Sequence, residues 1–152
     1  MKKLIYLFVA AALVACGGPA EKSETLKQAE KVHENIISLS GEVADMMHSK
    51  VEVIEGKIET ASAAGDSLMA AQLGILNDKL DALHDRFHEW EENMVEIPGH
   101  THSHDHGDHD HHHDHVQQNI MEGLSDQEHL DIQQEQLDQL NALKQELESI
   151  EI

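Results

Sequence analysis

Residues 69–94 read Met-Ala-Ala-Gln-Leu-Gly-Ile-Leu-Asn-Asp-Lys-Leu-Asp-Ala-Leu-His-Asp-Arg-Phe-His-Glu-Trp-Glu-Glu-Asn-Met. In this stretch Met69, Leu73, Leu76, Leu80, Leu83, Phe87, Trp90 and Met94 recur at alternating steps of 4 and 3. That alternation is the repeat that keeps an apolar seam on one side of a helix packed lengthwise against another. A strand would need a period of two, which the stretch lacks. The seam therefore predicts a long helix with a partner, ended by Pro98-Gly99, which cannot continue it. Upstream, Ala63-Ala64-Gly65-Asp66 supplies a turn, with Asp66 placed as the N-cap. From Ser23 to Ala63 there is no proline, and Val32, Ile36, Leu39, Val43 and Met46 keep helical spacing. The stripe continues through Val53, Ile54, Ile58 and Ala61, with a weak point at Ser40-Gly41 that can kink the helix. Two amphipathic helices joined by so short a turn lie antiparallel. At 1.5 Å per residue they reach roughly 60 and 45 Å. The expectation is an all-α fold built on a long, coiled-coil-like hairpin over residues 23–97, elongated rather than globular.

A third helix is expected in residues 117–152. Ser125-Asp126-Gln127-Glu128 matches a capping box before Leu130. Leu130, Leu137, Leu140, Leu143, Leu147 and Ile150 form its apolar side, interrupted by Gln133, Gln134 and Lys144. Val116 to Met121 reads as a separate turn ended by Gly123. The pattern leaves open whether this helix packs on the hairpin or self-associates.

Composition narrows the class further. At 152 residues one domain is the natural reading. Tyr6 and Phe8 lie at the N-terminus, so Phe87 and Trp90 are the only aromatic anchors left for a core. A β-sandwich or α/β enzyme of this size carries many more aromatic and β-branched runs. Lys and Arg total 10 against 30 acids, for a formal net charge of −20. After Arg86 the single basic residue is Lys144. Such a chain attracts cations and repels nucleic acid. No Gly-rich phosphate loop and no Ser/His/Asp arrangement stands in a context that would support catalysis, so no enzyme is expected.

Lys2 and Lys3 precede an apolar run of 11 residues, Leu4 to Val14. The run suits a secretory signal and is too short to span a bilayer, which needs about 20 residues. It ends Leu13-Val14-Ala15-Cys16, which resembles the lipobox of bacterial lipoproteins. The resemblance implies removal of residues 1–15 and lipidation of Cys16, with residues 16–22 as a tether containing Gly17-Gly18-Pro19-Ala20. Several acyl chains would hold such a protein firmly on a membrane. Gly17, where some lipoproteins carry Asp, implies outer-membrane delivery and a site in the cell envelope facing the periplasm. The lone cysteine has no second thiol for an intramolecular disulfide. The competing readings are a plain secreted protein with a free thiol, or an uncleaved anchor. A lipidated cysteine, a helical hairpin bearing Met47-His48 and Trp90 near its exit also resemble small helical lipoproteins of Bacteroidota-type bacteria, some labelled "viral A-type inclusion protein". That likeness covers roughly residues 30–97 and implies an envelope location without a known activity.

The chemistry concentrates in residues 100–115, the heart of a loop over 98–116. It holds His100, His102, His104, His106, His109, His111, His112, His113 and His115, interleaved with Asp105, Asp108, Asp110 and Asp114. In an extended chain residues two apart face the same way, so His100, His102, His104 and His106 can converge on one ion. Neutral imidazole binds zinc, nickel and copper, and carboxylates complete a shell or orient the imidazoles. At three or four ligands per ion, nine histidines hold about two or three. Zinc is the expected cargo, with nickel or copper as alternatives; one cysteine and no Met-x-x-Met cluster argue against a copper(I) site. Ordering a flexible loop costs roughly 1–2 kcal/mol per residue fixed, which sets the expected affinity near micromolar, roughly −8 kcal/mol. The tract resembles the His/Asp-rich loops of bacterial zinc-uptake proteins and zinc transporters, which implies metal handling. The alternatives are a solvated linker and a coil that responds to pH.

A second candidate lies on the hairpin. His84 and His88 are four apart, on one face, flanked by Asp81 and Glu91. The turn at residues 64–65 places His48 within one helical turn of His84. His48, His84 and His88 with a carboxylate have reasonable zinc chemistry. The simpler reading is surface histidines in contact with neighbouring acids. His33 and His129 stand apart and receive no role. The function expected is metal capture or buffering in the envelope, with hand-off to a transporter. The alternative is an adaptor or structural helical lipoprotein that binds a protein partner.

Overall fold

The computed structural model describes residues 22–97 and 123–152. Three helices carry these residues: α1 Glu24–Ala63, α2 Ser67–Glu92 and α3 Asp126–Ser149. No strand occurs among the described residues. The fold is all-α, with the antiparallel hairpin in place and the third helix packed on it. None of these helices is long and apolar enough to cross a membrane.

Each helix begins where the sequence supplies a cap. Ser23 and Asp66 accept from the backbone N–H groups of Leu26 and Met69. Ser125 and Glu128 cap each other reciprocally at the start of α3. The turn between α1 and α2 needs a left-handed residue, and Gly65 supplies it with φ 73°. Helix α1 runs unbroken through Gly41 and Gly56, because packing along its length outweighs the roughly 1 kcal/mol weakness of an internal glycine.

Helix α1 is the central element, packed against both α2 and α3, while α2 and α3 meet over a narrower strip. Contacts set the directions. Ser23 bonds to Asp126, His33 to Gln133, Glu42 to Lys144, and Lys50 donates to the Ile150 carbonyl. Helix α3 therefore runs parallel to α1 and antiparallel to α2. Residues 24–50 of α1, the second half of α2 and all of α3 form a three-helix end. Beyond Lys50 the hairpin continues as two helices to its turn.

This placement corrects the sequence reading at several positions. The buried line of α1 is Ala29, His33, Ile36, Val43, Met47, Ile54 and Ala61, with Val32, Leu39, Met46 and Ile58 half-buried and Val53 exposed. Ile36, Val43, Ile54 and Ala61 of the expected stripe are buried, and because α1 has two neighbours its buried face widens to take in Ala29, His33 and Met47. Met69 is exposed because no third helix covers the hairpin there.

Helix α2 ends at Glu92, short of Met94, and residues 94–97 leave it as a non-helical segment. Pro98 disfavours helix in the residue before it, and Ile97 is drawn into a small cluster with Ala29 and Leu130. Two α3 side chains take up carbonyls near this exit: Gln136 Nε2 donates to Asn93 and Gln133 Nε2 to Val95. Helix α3 starts at Asp126, directly after the Ser125 cap that the capping box predicts. The turn expected at 116–121 lies outside the described residues, as do residues 1–21.

The main core joins Ile36, Val43, Met47 and Ile54 of α1, Leu80, Leu83, Phe87 and Trp90 of α2, and Leu140, Leu143 and Leu147 of α3. Phe87 and Trp90 stack at 5.9 Å between ring centroids.

Candidate functional site

The ligand-rich residues 100–115 and Cys16 lie outside the described residues, but the points where the chain leaves and re-enters the fold are inside them. Ile97 closes the cluster with Ala29 and Leu130 at the three-helix end. Ser23 and Asp126 meet at that same end. The start of the described chain and both flanks of the His-rich tract thus emerge together, opposite the Gly65 turn.

An open groove of about 310 Å³ runs between α1 and α2. Ala44, Met47, Val51 and Phe87 supply its apolar side. His48, His84 and His88 stand along it with Asp81 and Glu91. The heptad register explains the arrangement: Met47 and Phe87 occupy seam positions, and each carries a histidine as its next residue, turned toward solvent. The imidazoles of His84 and His88 meet edge to face at 4.4 Å between centroids. Glu91 Oε2 lies 3.3 Å from His88 Nδ1. Among the described residues no three His, Cys, Asp or Glu side chains converge closely enough to share an ion. The fold thus brings the three histidines to one groove, in rotamers that do not form a metal shell.

His33 and His129, given no role from sequence, are buried. His33 Nδ1 pairs with Gln133 Oε1 at 3.0 Å, and Glu96 Oε2 lies 3.6 Å from its Nε2. Gln133 in turn donates to Val95 at 2.7 Å. Trp90 Nε1 donates to the Gln136 carbonyl at 3.3 Å. His129 Nδ1 has no hydrogen-bond partner among the described residues. A signal for this layer exists in the sequence. Gln133 and Gln136 precede Leu140, Leu143 and Leu147 at alternating steps of 3 and 4, so they occupy seam positions where polar residues need buried partners.

The surface ion pairs link neighbouring helices rather than build a site. Arg86 forms a two-pronged pair with Glu146, at 2.5 and 3.0 Å, joining α2 to α3. Hydrogen bonding to Arg86 lowers the Glu146 carboxyl below its ordinary range, and the same bond raises the Arg86 guanidinium. The Glu128 carboxyl is also lowered, first because it accepts the Ser125 backbone N–H. No lysine or arginine among the described residues lines the groove.

Comparison with family models, with curated proteins and with solved structures finds no match for this chain.

Proposed function

We propose that this chain is a lipid-anchored envelope protein that captures or buffers zinc, or a similar divalent transition metal, for hand-off to a transporter. The observation that carries the reading is ligand density: nine histidines and four aspartates in the sixteen residues 100–115. Nickel and copper(II) fit the same donors. The lipobox-like Leu13-Val14-Ala15-Cys16 supplies the anchor in this reading, and the acidic chain draws cations toward the tract. The fold supports the arrangement in one respect. The chain emerges at Lys22 on the same end of the bundle as Ile97 and Gly123, so an anchor at Cys16 would hold the tract on the membrane-facing end.

Zinc calorimetry on residues 17–152, with and without residues 100–115, tests the proposal. Loss of two or more ions near micromolar affinity is the expected effect of the deletion. Binding by the intact chain should weaken as pH falls below about 6.5, because protonated imidazole cannot ligate. Unchanged stoichiometry after the deletion would exclude the tract as the principal site.

A second reading, an adaptor that binds a protein partner, draws on one observation. Leu68 and Ile75 are 70% and 61% exposed on the two-helix part of the hairpin, where Met69 and Val53 are exposed too. Large apolar side chains left in solvent are a feature of interaction sites when they form a patch.

A further inference from the structure

The groove between α1 and α2 carries more ligand chemistry than packing the hairpin requires. Its floor is closed by Met47 and Phe87, both buried. Its histidines contribute nothing to that floor, since His48, His84 and His88 are all exposed. We propose that His84 and His88 of α2, with His48 of α1, form a site for a single divalent transition-metal ion of zinc-like chemistry, independent of residues 100–115.

Four observations support this. The first is spacing: residues four apart share a helix face, and the two imidazoles are already in contact, with centroids 4.4 Å apart. Two nitrogens bound to one zinc at 2.0–2.1 Å would lie about 3.3 Å from each other in a tetrahedral shell, so a change of side-chain rotamers suffices. The second is orientation. Glu91 Oε2 lies 3.3 Å from His88 Nδ1, which favours the proton on Nδ1 and leaves the Nε2 lone pair for a metal, the usual carboxylate–histidine pairing of metal sites. The third is placement: the α1–α2 register brings His48 to the same groove, so a third nitrogen is available from the facing helix. The fourth is charge. Asp81 stands on the groove beside His84, and no lysine or arginine competes with a cation there. The present rotamers do not gather three ligands. The rearrangement needed is confined to exposed side chains, so the metal, and not the fold alone, completes the shell.

The test uses the full chain with His→Asn at all nine histidines of residues 100–115, titrated with zinc by calorimetry. One ion per chain is expected. Adding His84→Ala and His88→Ala should abolish that uptake. His48→Ala should weaken it at least about tenfold, and Glu91→Gln by about 10–100-fold, as loss of a ligand-orienting carboxylate does. The histidines are exposed, so far-ultraviolet circular dichroism of every variant should match the parent and exclude misfolding as a cause. Absence of zinc uptake by the nine-histidine variant overturns the site, as does an ion that survives His84→Ala with His88→Ala. An unchanged affinity in His48→Ala overturns the inter-helix geometry. Failure of the tract itself to bind shows separately, as equal stoichiometry in the parent and the nine-histidine variant.

Discussion

His33 and Gln133 are each fully buried, and His33 Nδ1 pairs with Gln133 Oε1 where α1 packs on α3. A buried polar pair of this kind is weak evidence for stability but strongly penalises removal of one partner. Breaking it leaves a desolvated donor or acceptor at a cost of about 1–3 kcal/mol, whereas removing both partners is nearly neutral. Gln133→Met removes the bond to His33 and also the donor to Val95, and should lower stability by about 1–3 kcal/mol in urea unfolding. His33→Leu combined with Gln133→Met should cost less than the sum of the two single changes. Strict additivity would show that the two side chains do not act as a pair. The bond has a structural consequence: Gln133 also holds Val95, so the side chain that reads His33 fixes the segment leading to the His-rich tract. Neither residue was assigned a partner from sequence. The signal was a glutamine at a seam position, and a periodic pattern of leucines does not say which buried group will face it.

Among the elements, α3 is the one whose place the sequence left open, and polar contacts along its length now specify its direction. Lys50 donates to the Ile150 carbonyl at the C-terminal end of α3, where free carbonyls and the helix dipole both favour a cation. Lys144 meets Glu42 at 3.1 Å, and Arg86 meets Glu146. The last pair makes part of the stability dependent on pH. The folded carboxyl of Glu146 is lowered, so its contribution is fully present above the ordinary carboxylate value of about 4.3 and is lost as pH falls through the lower folded value. Both partners are half exposed, so the effect is small, under about 1 kcal/mol. Glu146→Gln should therefore reduce stability slightly near neutral pH and not below the folded value. Urea midpoints across the acid range check this, and a variant that loses the same stability at all pH values would mean that packing, and not charge, carries the effect.

Across the whole molecule stability is unevenly distributed. Over α1 as far as Lys50 three helices enclose the core, with Ile36, Val43, Leu80, Leu140 and Leu147 fully buried. Toward the Gly65 turn α1 has α2 alone, and Leu68, Met69, Ile75 and Val53 are exposed. Local opening follows the density of buried apolar contacts. Amide exchange in metal-free protein should therefore be slowest around Ile36–Met47, Leu83–Trp90 and Leu140–Leu147, and markedly faster for residues 56–75. Chelator should not change that ranking, because the seams contain no proposed metal ligand, whereas small zinc domains depend on metal for their folding energy. Uniform exchange along α1 would contradict the division into a three-helix end and a two-helix tip.

The sequence alone determined the helices, their caps at Asp66 and Ser125, the antiparallel hairpin and the placing of His48 and His84 along one groove. Each of these follows from local rules: a period near 3.5, a capping side chain, a glycine that accepts positive φ, and a turn too short for anything but antiparallel packing. Tertiary structure decided what depends on a second neighbour. It widened the buried face of α1 to serve both α2 and α3, ended α2 at Glu92 so that Ile97 could enter the cluster with Ala29 and Leu130, and buried His33 against Gln133. It also left Met69 in solvent although the residue continues the α2 seam. Periodicity tells a helix which face is apolar, but only the arrangement of the other helices determines how much of that face is covered and which polar groups must find partners beneath it.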